Sequence, residues 1–262
     1  MQSGYWQDRT TADFRRLDPE ATVALLPVAA IEQHGPHLPL STDSVINDGL
    51  VRAALPLVAT HATLLVLPAL TVGLSPEHTS FAGTLTIADT TLADLWTDVG
   101  RSVARAGVRK LVILNTHGGQ KALVDVVAMR LRADLKMLVA RATYFAFGSL
   151  PGLFDVVESA HDIHGGEVET SLMLHLKPEL VRRSEIADFR GLPHELAARN
   201  RVLGAEKPVG IGWRAEDLHA SGACGNAARA DAAKGAKHLA HLADRLATLV
   251  AELAATPLTT LK

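Results

Sequence analysis

The segment KLVILNTHGGQ (Lys110–Gln120) joins an apolar run to a polar turn that contains two glycines. After its lysine the run is apolar as far as Leu114, which is typical of a strand buried on both faces of a parallel sheet. Apolar residues at helical spacing follow from Gly118 or Gly119. A buried strand that leads through a polar turn into a helix predicts a βαβ unit, and therefore an α/β protein.

Similar units extend on both sides of this segment. Strands are predicted at Thr22–Val28, Leu64–Leu70 and Met137–Ala142, and helices at Val45–Val58, Asp89–Ala106, Glu167–Leu176 and along the stripe Leu239–Leu253. The sequence has no low-complexity linker and no internal repeat. We therefore expect one domain over residues 1–262 with a mostly parallel sheet. The least regular part, residues 184–228, is predicted to form loops over a site.

Composition narrows the possible functions. The chain has 26 Lys and Arg against 28 Asp and Glu, a formal net charge of −2, which argues against a general nucleic-acid partner. Its N-terminus lacks the apolar core of a secretory signal, and its apolar runs are too short to span a bilayer. The single cysteine excludes an intramolecular disulfide and a cysteine-based zinc cluster. We expect a soluble, cytoplasmic protein without a membrane partner.

Three polar clusters follow predicted strands or open a predicted helix. They are EQHGPHLPLSTD (Glu32–Asp43), NTHGGQ (Asn115–Gln120) and HDIHGGEVETS (His161–Ser171). In open α/β sheets ligands bind beyond the carboxyl ends of the strands, so these clusters are candidates for one site.

Carboxylates combined with imidazoles indicate a metal site, because this set of ligands suits zinc, manganese or iron. With two ions, one carboxylate can bridge both, and Asp43 is a natural bridge. Glu167 and Glu169 are two residues apart and cannot share a helix face. One of them is therefore expected to point into the site and the other away from it.

At these residues the chain resembles the creatininase family of metal-dependent amidohydrolases. The matching stretches are Glu32–Asp43, Gly73–Thr86, Asn115–Gln120, His164–Leu174 and Ser221–Gly235. The resemblance implies a single three-layer α/β/α domain and two divalent metal ions (Zn, Mn or Fe). It further implies hydrolysis of an amide or cyclic amide C–N bond, often by a homohexamer.

The resemblance also assigns roles to individual residues. Glu32, His34, Asp43 and His117 match metal ligands, with Asp43 as the bridge, and His164 matches a proton-transfer histidine. Glu169 matches a site glutamate five residues later. The residues expected near the substrate are Glu77, His78, Gly118, Gly119, Tyr144 and Gly222. A structural loop explains Glu77 and His78 equally well, and a simple turn explains Gly222.

One departure from the family bears on specificity. Creatininase itself carries Tyr-Glu after the histidine of the second cluster, and that glutamate is a metal ligand, whereas this chain has Gly118-Gly119. We expect Glu169 to supply the missing ligand, with Glu167 as the alternative, and a roomier pocket over the two glycines. The tryptophans that line the creatininase pocket before the third cluster are also missing, which predicts poor hydrolysis of creatinine.

The leading hypothesis is a metal-dependent amidohydrolase acting on a small cyclic amide, ureide or formamide rather than on an ordinary peptide bond. Two alternatives are an isomerase or lyase acting on a sugar-like carbonyl compound and a peptide-trimming metallopeptidase of the same family. A non-catalytic metal-binding scaffold is a third, against which the proton-transfer histidine argues.

Overall fold

The computed structural model describes residues 2–262. Its central element is a five-stranded sheet with the strand order β1-β3-β2-β4-β5. These strands are β1 (Gly4–Tyr5), β2 (Thr22–Val28), β3 (Thr63–Val66), β4 (Lys110–Asn115) and β5 (Leu138–Thr143). All neighbouring pairs are parallel, which confirms the predicted parallel sheet. Two short strands, β6 (Asp188–Phe189) and β7 (Gly225–Asn226), form a separate antiparallel pair.

Helices cover both faces of the sheet. They are α1 (Thr11–Phe14), α2 (Thr42–Ala54), α3 (Asp89–Arg105), α4 (Lys121–Leu135), α5 (Val156–Ser159), α6 (Glu167–Leu176), α7 (Leu192–Arg199), α8 (Ala215–Leu218) and α9 (Ala232–Ala255). Because successive side chains of a strand point to opposite faces, β2 contributes Leu25 to one core and Leu26 to the other. The first core includes residues of α2, α6 and α9, and the second includes residues of α3 and α4. The expected α/β/α layering is thus confirmed.

Several predicted bounds need correction. The strand expected at Leu64–Leu70 ends at Val66, because Pro68 has no N–H to donate to a ladder. Helix α4 begins at Lys121 rather than at a glycine, since Gly118–Gln120 forms a 3₁₀ turn. Helix α2 begins at Thr42 instead of Val45, which brings Asp43 into its first turn.

The region 184–228 is less irregular than expected. It contains α7, α8, β6 and β7, each at most eight residues long. None of the helices within residues 2–262 is both long and apolar enough to cross a membrane.

Candidate metal centre

The three clusters of the sequence meet at the carboxyl edge of the sheet. The first lies in the loop after β2. This segment folds back on itself, because His34 pairs with Leu38 through the backbone and the Glu32 N–H donates a hydrogen bond to the Leu40 carbonyl. This fold directs the Glu32 and His34 side chains toward the edge. His117 is the second residue after β4, so the edge positions carry ligands from neighbouring strands, as expected for an open α/β sheet.

Six side chains at this edge form two sets of similar composition. Glu32, Glu77 and His117 form one set, and within it the ligand atoms all lie within 4.8 Å of one another. The second set, with the same spacing, is His34, Asp43 and Glu169. Each set offers two carboxylates and one imidazole.

In the first set, the ring of His117 is fixed by its backbone surroundings. Its Nε2–H donates to the Leu74 carbonyl at 2.8 Å, and Nδ1 is the nitrogen that faces Glu32 and Asp43. That nitrogen lies 3.1 Å from Glu32 Oε1 and 3.5 Å from Asp43 Oδ2. Histidines that bind a metal ion usually donate their other ring N–H to a backbone carbonyl or a carboxylate, which fixes the orientation of the ring.

The second set repeats the arrangement. The Nδ1–H of His34 donates to the Glu32 carbonyl at 3.1 Å, and its Nε2 lies 3.3 Å from Asp43 Oδ1 and 3.8 Å from Glu169 Oε2. Glu169 is held by the backbone N–H of Gly165, which donates to Oε2 at 2.7 Å. Asp43 thus presents one oxygen to each set, as its expected role of bridge requires.

Buried polar atoms at the centre lack hydrogen-bond partners among the described residues. They are both oxygens of Glu32, His34 Nε2, Asp43 Oδ2 and Glu77 Oε1. Burying such atoms without a partner is costly, and native proteins rarely collect several of them at one place. The donor set therefore fits divalent cations, which these atoms would coordinate.

The electrostatics of the centre also favour positive charge. Burial lowers the pKa of an imidazole, but Asp43 and Glu169 outweigh it and raise the pKa of His34 to about 9. Burial likewise opposes the charge on His117, yet Glu32 and Asp43 raise its pKa to about 10. A proton on the ring of His34 or His117 therefore competes with a metal ion for the negative charge of the same carboxylates.

His164 lies against both sets. Its Nδ1 is 3.9 Å from Glu32 Oε1, and its Nε2–H donates to the Gln33 carbonyl at 2.6 Å. Its ring is 4.1 Å from that of His34 and 4.3 Å from that of His78. Burial and the neighbouring rings hold the pKa of His164 well below its usual value. Its ring is therefore neutral at pH 7, with a free lone pair on Nδ1.

His78 is a buried neighbour of Glu32. The Gln33 side-chain N–H donates to His78 Nδ1 at 2.7 Å, so Nε2 carries the proton and faces Glu32 Oε1 at 3.4 Å. Burial lowers the pKa of His78 to about 4, in keeping with a neutral ring. Gln33 was not singled out from the sequence, although it lies between two predicted ligands.

Some residues expected near the substrate lie elsewhere. Tyr144 is buried behind Glu169, to whose Oε1 its hydroxyl donates at 3.3 Å. Gly222 adopts a φ of +82° and packs against the Gln33 side chain, whose amide donates to its carbonyl at 3.0 Å. Both residues position parts of the site instead of lining the cavity.

The side chains of Glu167 and Glu169, the two candidates for the missing ligand, point in different directions. Glu167 pairs with Lys234 and, at 3.5 Å, with Arg229, and so it points away from the centre.

A further buried carboxylate, Asp162, accepts a hydrogen bond from the Val168 N–H at 3.0 Å near the start of α6. Burial raises the pKa of Asp162 to about 7. No role for Asp162 was predicted from the sequence.

The prediction of a roomier pocket over the two glycines is correct for Gly118 but wrong for Gly119. Gly118 and Gly119 both line a cavity of about 1040 Å³ that ends on the metal centre. The space beside Gly118 is open, but the space beside Gly119 is filled by the Glu77 carboxylate. The outer wall includes Phe145, Arg201 and Trp213.

Comparisons with known proteins agree with this geometry. The family model for creatininase, described as creatinine amidohydrolase, matches residues 7–250. The chain is 36% identical over 199 residues to a mycofactocin precursor peptide peptidase of Mycobacterium ulcerans, covering 71% of this chain and 72% of that one. It is 33% identical over 184 residues to the creatinine amidohydrolase of Pseudomonas putida, covering 63% and 68%.

Solved structures show the same fold. A Bacteroides fragilis protein described as a creatinine amidohydrolase superposes with a TM-score of 0.77 at 28% identity, covering 98% of both chains. Creatininase structures of this fold are described with zinc or with manganese.

Proposed function

The chain belongs to the creatininase family, and from this premise we propose that it is a hydrolase that uses two divalent metal ions to cleave a C–N amide bond. The observation that carries the proposal is the pair of ligand sets, each with two carboxylates and an imidazole, at the end of the cavity. The unpartnered atoms of these side chains fit metal coordination. The homohexameric assembly and cytoplasmic location remain predictions.

The chemistry divides between the ions and the chain. Divalent ions held by the two ligand sets would polarise the amide carbonyl and lower the pKa of a water molecule. His164 is the residue placed to move the proton. Its Nδ1 faces the centre while its Nε2–H is held by the Gln33 carbonyl, so Nδ1 accepts a proton from the attacking water and returns it to the leaving nitrogen.

For the substrate, we favour the end of a short peptide over a small cyclic amide. A cavity of about 1040 Å³ is at the upper end of the range for drug-sized ligands, roughly 300–1,000 Å³. Arg201 and Lys207 lie on its wall, and neither makes an ion pair within residues 2–262. Such free cations suit a peptide carboxylate, and the similarity to mycofactocin precursor peptide peptidases supports the same substrate class.

A small cyclic amide or formamide is the second candidate. The similarity to a creatinine amidohydrolase favours it, as does the depth at which the ligands are buried. No contact within the described residues favours an isomerase or lyase, and a scaffold gains nothing from His164.

The proposal is tested by removing metal with a chelator, dialysing, and adding back Zn²⁺, Mn²⁺ or Fe²⁺ one at a time. Each preparation is assayed on short peptides with free C-termini and on cyclic amides and formamides, in water enriched in ¹⁸O. We expect metal-dependent cleavage with one labelled oxygen in the acyl product. Full activity of metal-free protein, or product without label, would overturn the proposal.

A further inference from the structure

The Glu77 carboxylate occupies the place that a side chain at residue 119 would take. A Cβ built on Gly119 would fall on Glu77 Oε1 and lie 2.7 Å from His117 Nε2. Gly119 does not have a positive φ, so its backbone conformation does not require glycine. The reason for glycine at this position is the carboxylate itself.

One oxygen of the Glu77 carboxylate, Oε1, has no hydrogen bond that explains its position. This atom is buried and without a hydrogen-bond donor among the described residues. It lies 3.5 Å from His117 Nε2 and 4.0 Å from His78 Nε2. That buried oxygen therefore has no partner for its charge. A cation beside Glu32 and His117 would supply one.

The turn that carries Glu77 is tied to the turn that carries His117. Glu77 belongs to a 3₁₀ turn over Pro76–His78. Just before it, the Leu74 N–H donates to Gln120 Oε1 at 3.2 Å, and the Leu74 carbonyl accepts from His117. These two hydrogen bonds join the turns and hold Glu77 next to His117.

We propose that Glu77 is a metal ligand that completes the subsite of Glu32 and His117, and that its carboxylate uses the space left free by the missing side chain of Gly119. This inference rests on the proposed metal-dependent function. With Glu77, the two ligand sets are alike and contain four carboxylates, whose charge balances two divalent ions. Without Glu77, the set of Glu32 and His117 would contain one carboxylate, whereas the set of His34, Asp43 and Glu169 contains two.

The test exchanges the ligand between the two positions. Metal per chain and zinc affinity are measured for wild type, Glu77→Ala, Gly119→Glu and the double variant Glu77→Ala/Gly119→Glu. Glu179→Gln, an exposed site outside the centre, is the control. Thermal unfolding confirms that each variant is folded, and Glu77→Gln gives a variant of nearly unchanged shape.

We expect two ions in the wild type and the control, and a fall toward one ion in Glu77→Ala and Glu77→Gln. The double variant should regain the second ion. Gly119→Glu alone should bind it more weakly than the double variant, because two carboxylates then compete for one place. Two tightly held ions in folded Glu77→Ala, or no recovery in the folded double variant, would overturn this inference alone. A wild type that binds no ion would overturn the proposed function as well.

Discussion

Asp43 holds one carboxylate oxygen against His34, with Oδ1 3.3 Å from Nε2, while its other oxygen turns toward His117 at 3.5 Å. This contact joins the two ligand sets, since Asp43 is within reach of both. Asp43 is fully buried in the first turn of α2, so its orientation is set by the helix and not by solvent.

Replacing Asp43 should therefore be more damaging than replacing any ligand that belongs to one set. For Asp43→Ala we expect metal content to fall from two ions per chain toward zero and hydrolysis to fall to background. Asp48→Ala on the same helix, whose side chain is exposed and paired with Arg52, is the matched control and should keep both ions. Retention of both ions by Asp43→Ala would exclude a bridge.

His164 is expected to affect turnover without affecting metal content. His164→Ala should lower kcat by about 10²–10⁴-fold, the usual contribution of a general acid or base. The exposed His175 on α6 offers a control variant, His175→Ala, with unchanged kcat. If His164→Ala instead loses an ion, then His164 is a ligand, since its ring also forms a compact set with Glu32 and His34.

The sequence predicted the sheet and one helix well for identifiable reasons. The run Leu111–Leu114 is buried on both faces, so apolarity alone identified it as a strand. Helix α6 has the predicted bounds, Glu167–Leu176, because Pro178 cannot continue it. Strands β6 and β7 are two residues long and exist only through pairing with each other, which no local pattern encodes.

The candidate site was predictable in its composition but not in its contacts. The resemblance to the creatininase family predicted Glu32, His34, Asp43 and His117 as ligands, and the structure places these side chains close together. The position of Glu77 depends on the missing side chain of Gly119. These two residues are 42 positions apart in sequence and are adjacent only in space. Tyr144 suggested an aromatic pocket wall, but its hydroxyl reaches back to Glu169.

Metal binding should release protons at neutral pH. Since the pKa values of His34 and His117 are raised to about 9 and about 10, both rings carry a proton at pH 7, which a metal ion must displace. Apparent affinity should therefore rise with pH by roughly tenfold per unit for each proton released, and level off above pH 10. Calorimetry in two buffers with different ionisation enthalpies counts these protons. A proton count of zero at pH 7 would contradict the prediction.

Tyr144 should influence the ion near Glu169 and not the affinity for substrate. Tyr144→Phe removes the hydroxyl that donates to Glu169 Oε1. Loss of a hydrogen bond that orients a metal ligand weakens metal binding by about 10–100-fold, and adding excess metal should restore turnover. Phe145→Leu, on the cavity wall, should instead change KM with metal affinity unaltered. A raised KM in metal-saturated Tyr144→Phe would place its ring in contact with substrate.

Arg201 provides the sharpest test of the substrate class. Its guanidinium lies on the cavity wall without an ion pair among residues 2–262, and a charged hydrogen bond to a carboxylate contributes about 1.5–3 kcal/mol. Arg201→Ala should therefore lower kcat/KM for a peptide with a free C-terminus by roughly 10–100-fold, but leave the C-terminally amidated peptide nearly unaffected. Arg199→Ala is the matched control, because Arg199 lies two residues away, is exposed and pairs with Glu195. Equal losses for the free and amidated peptides would show that Arg201 does not recognise a carboxylate, and would favour the small cyclic amide as the substrate.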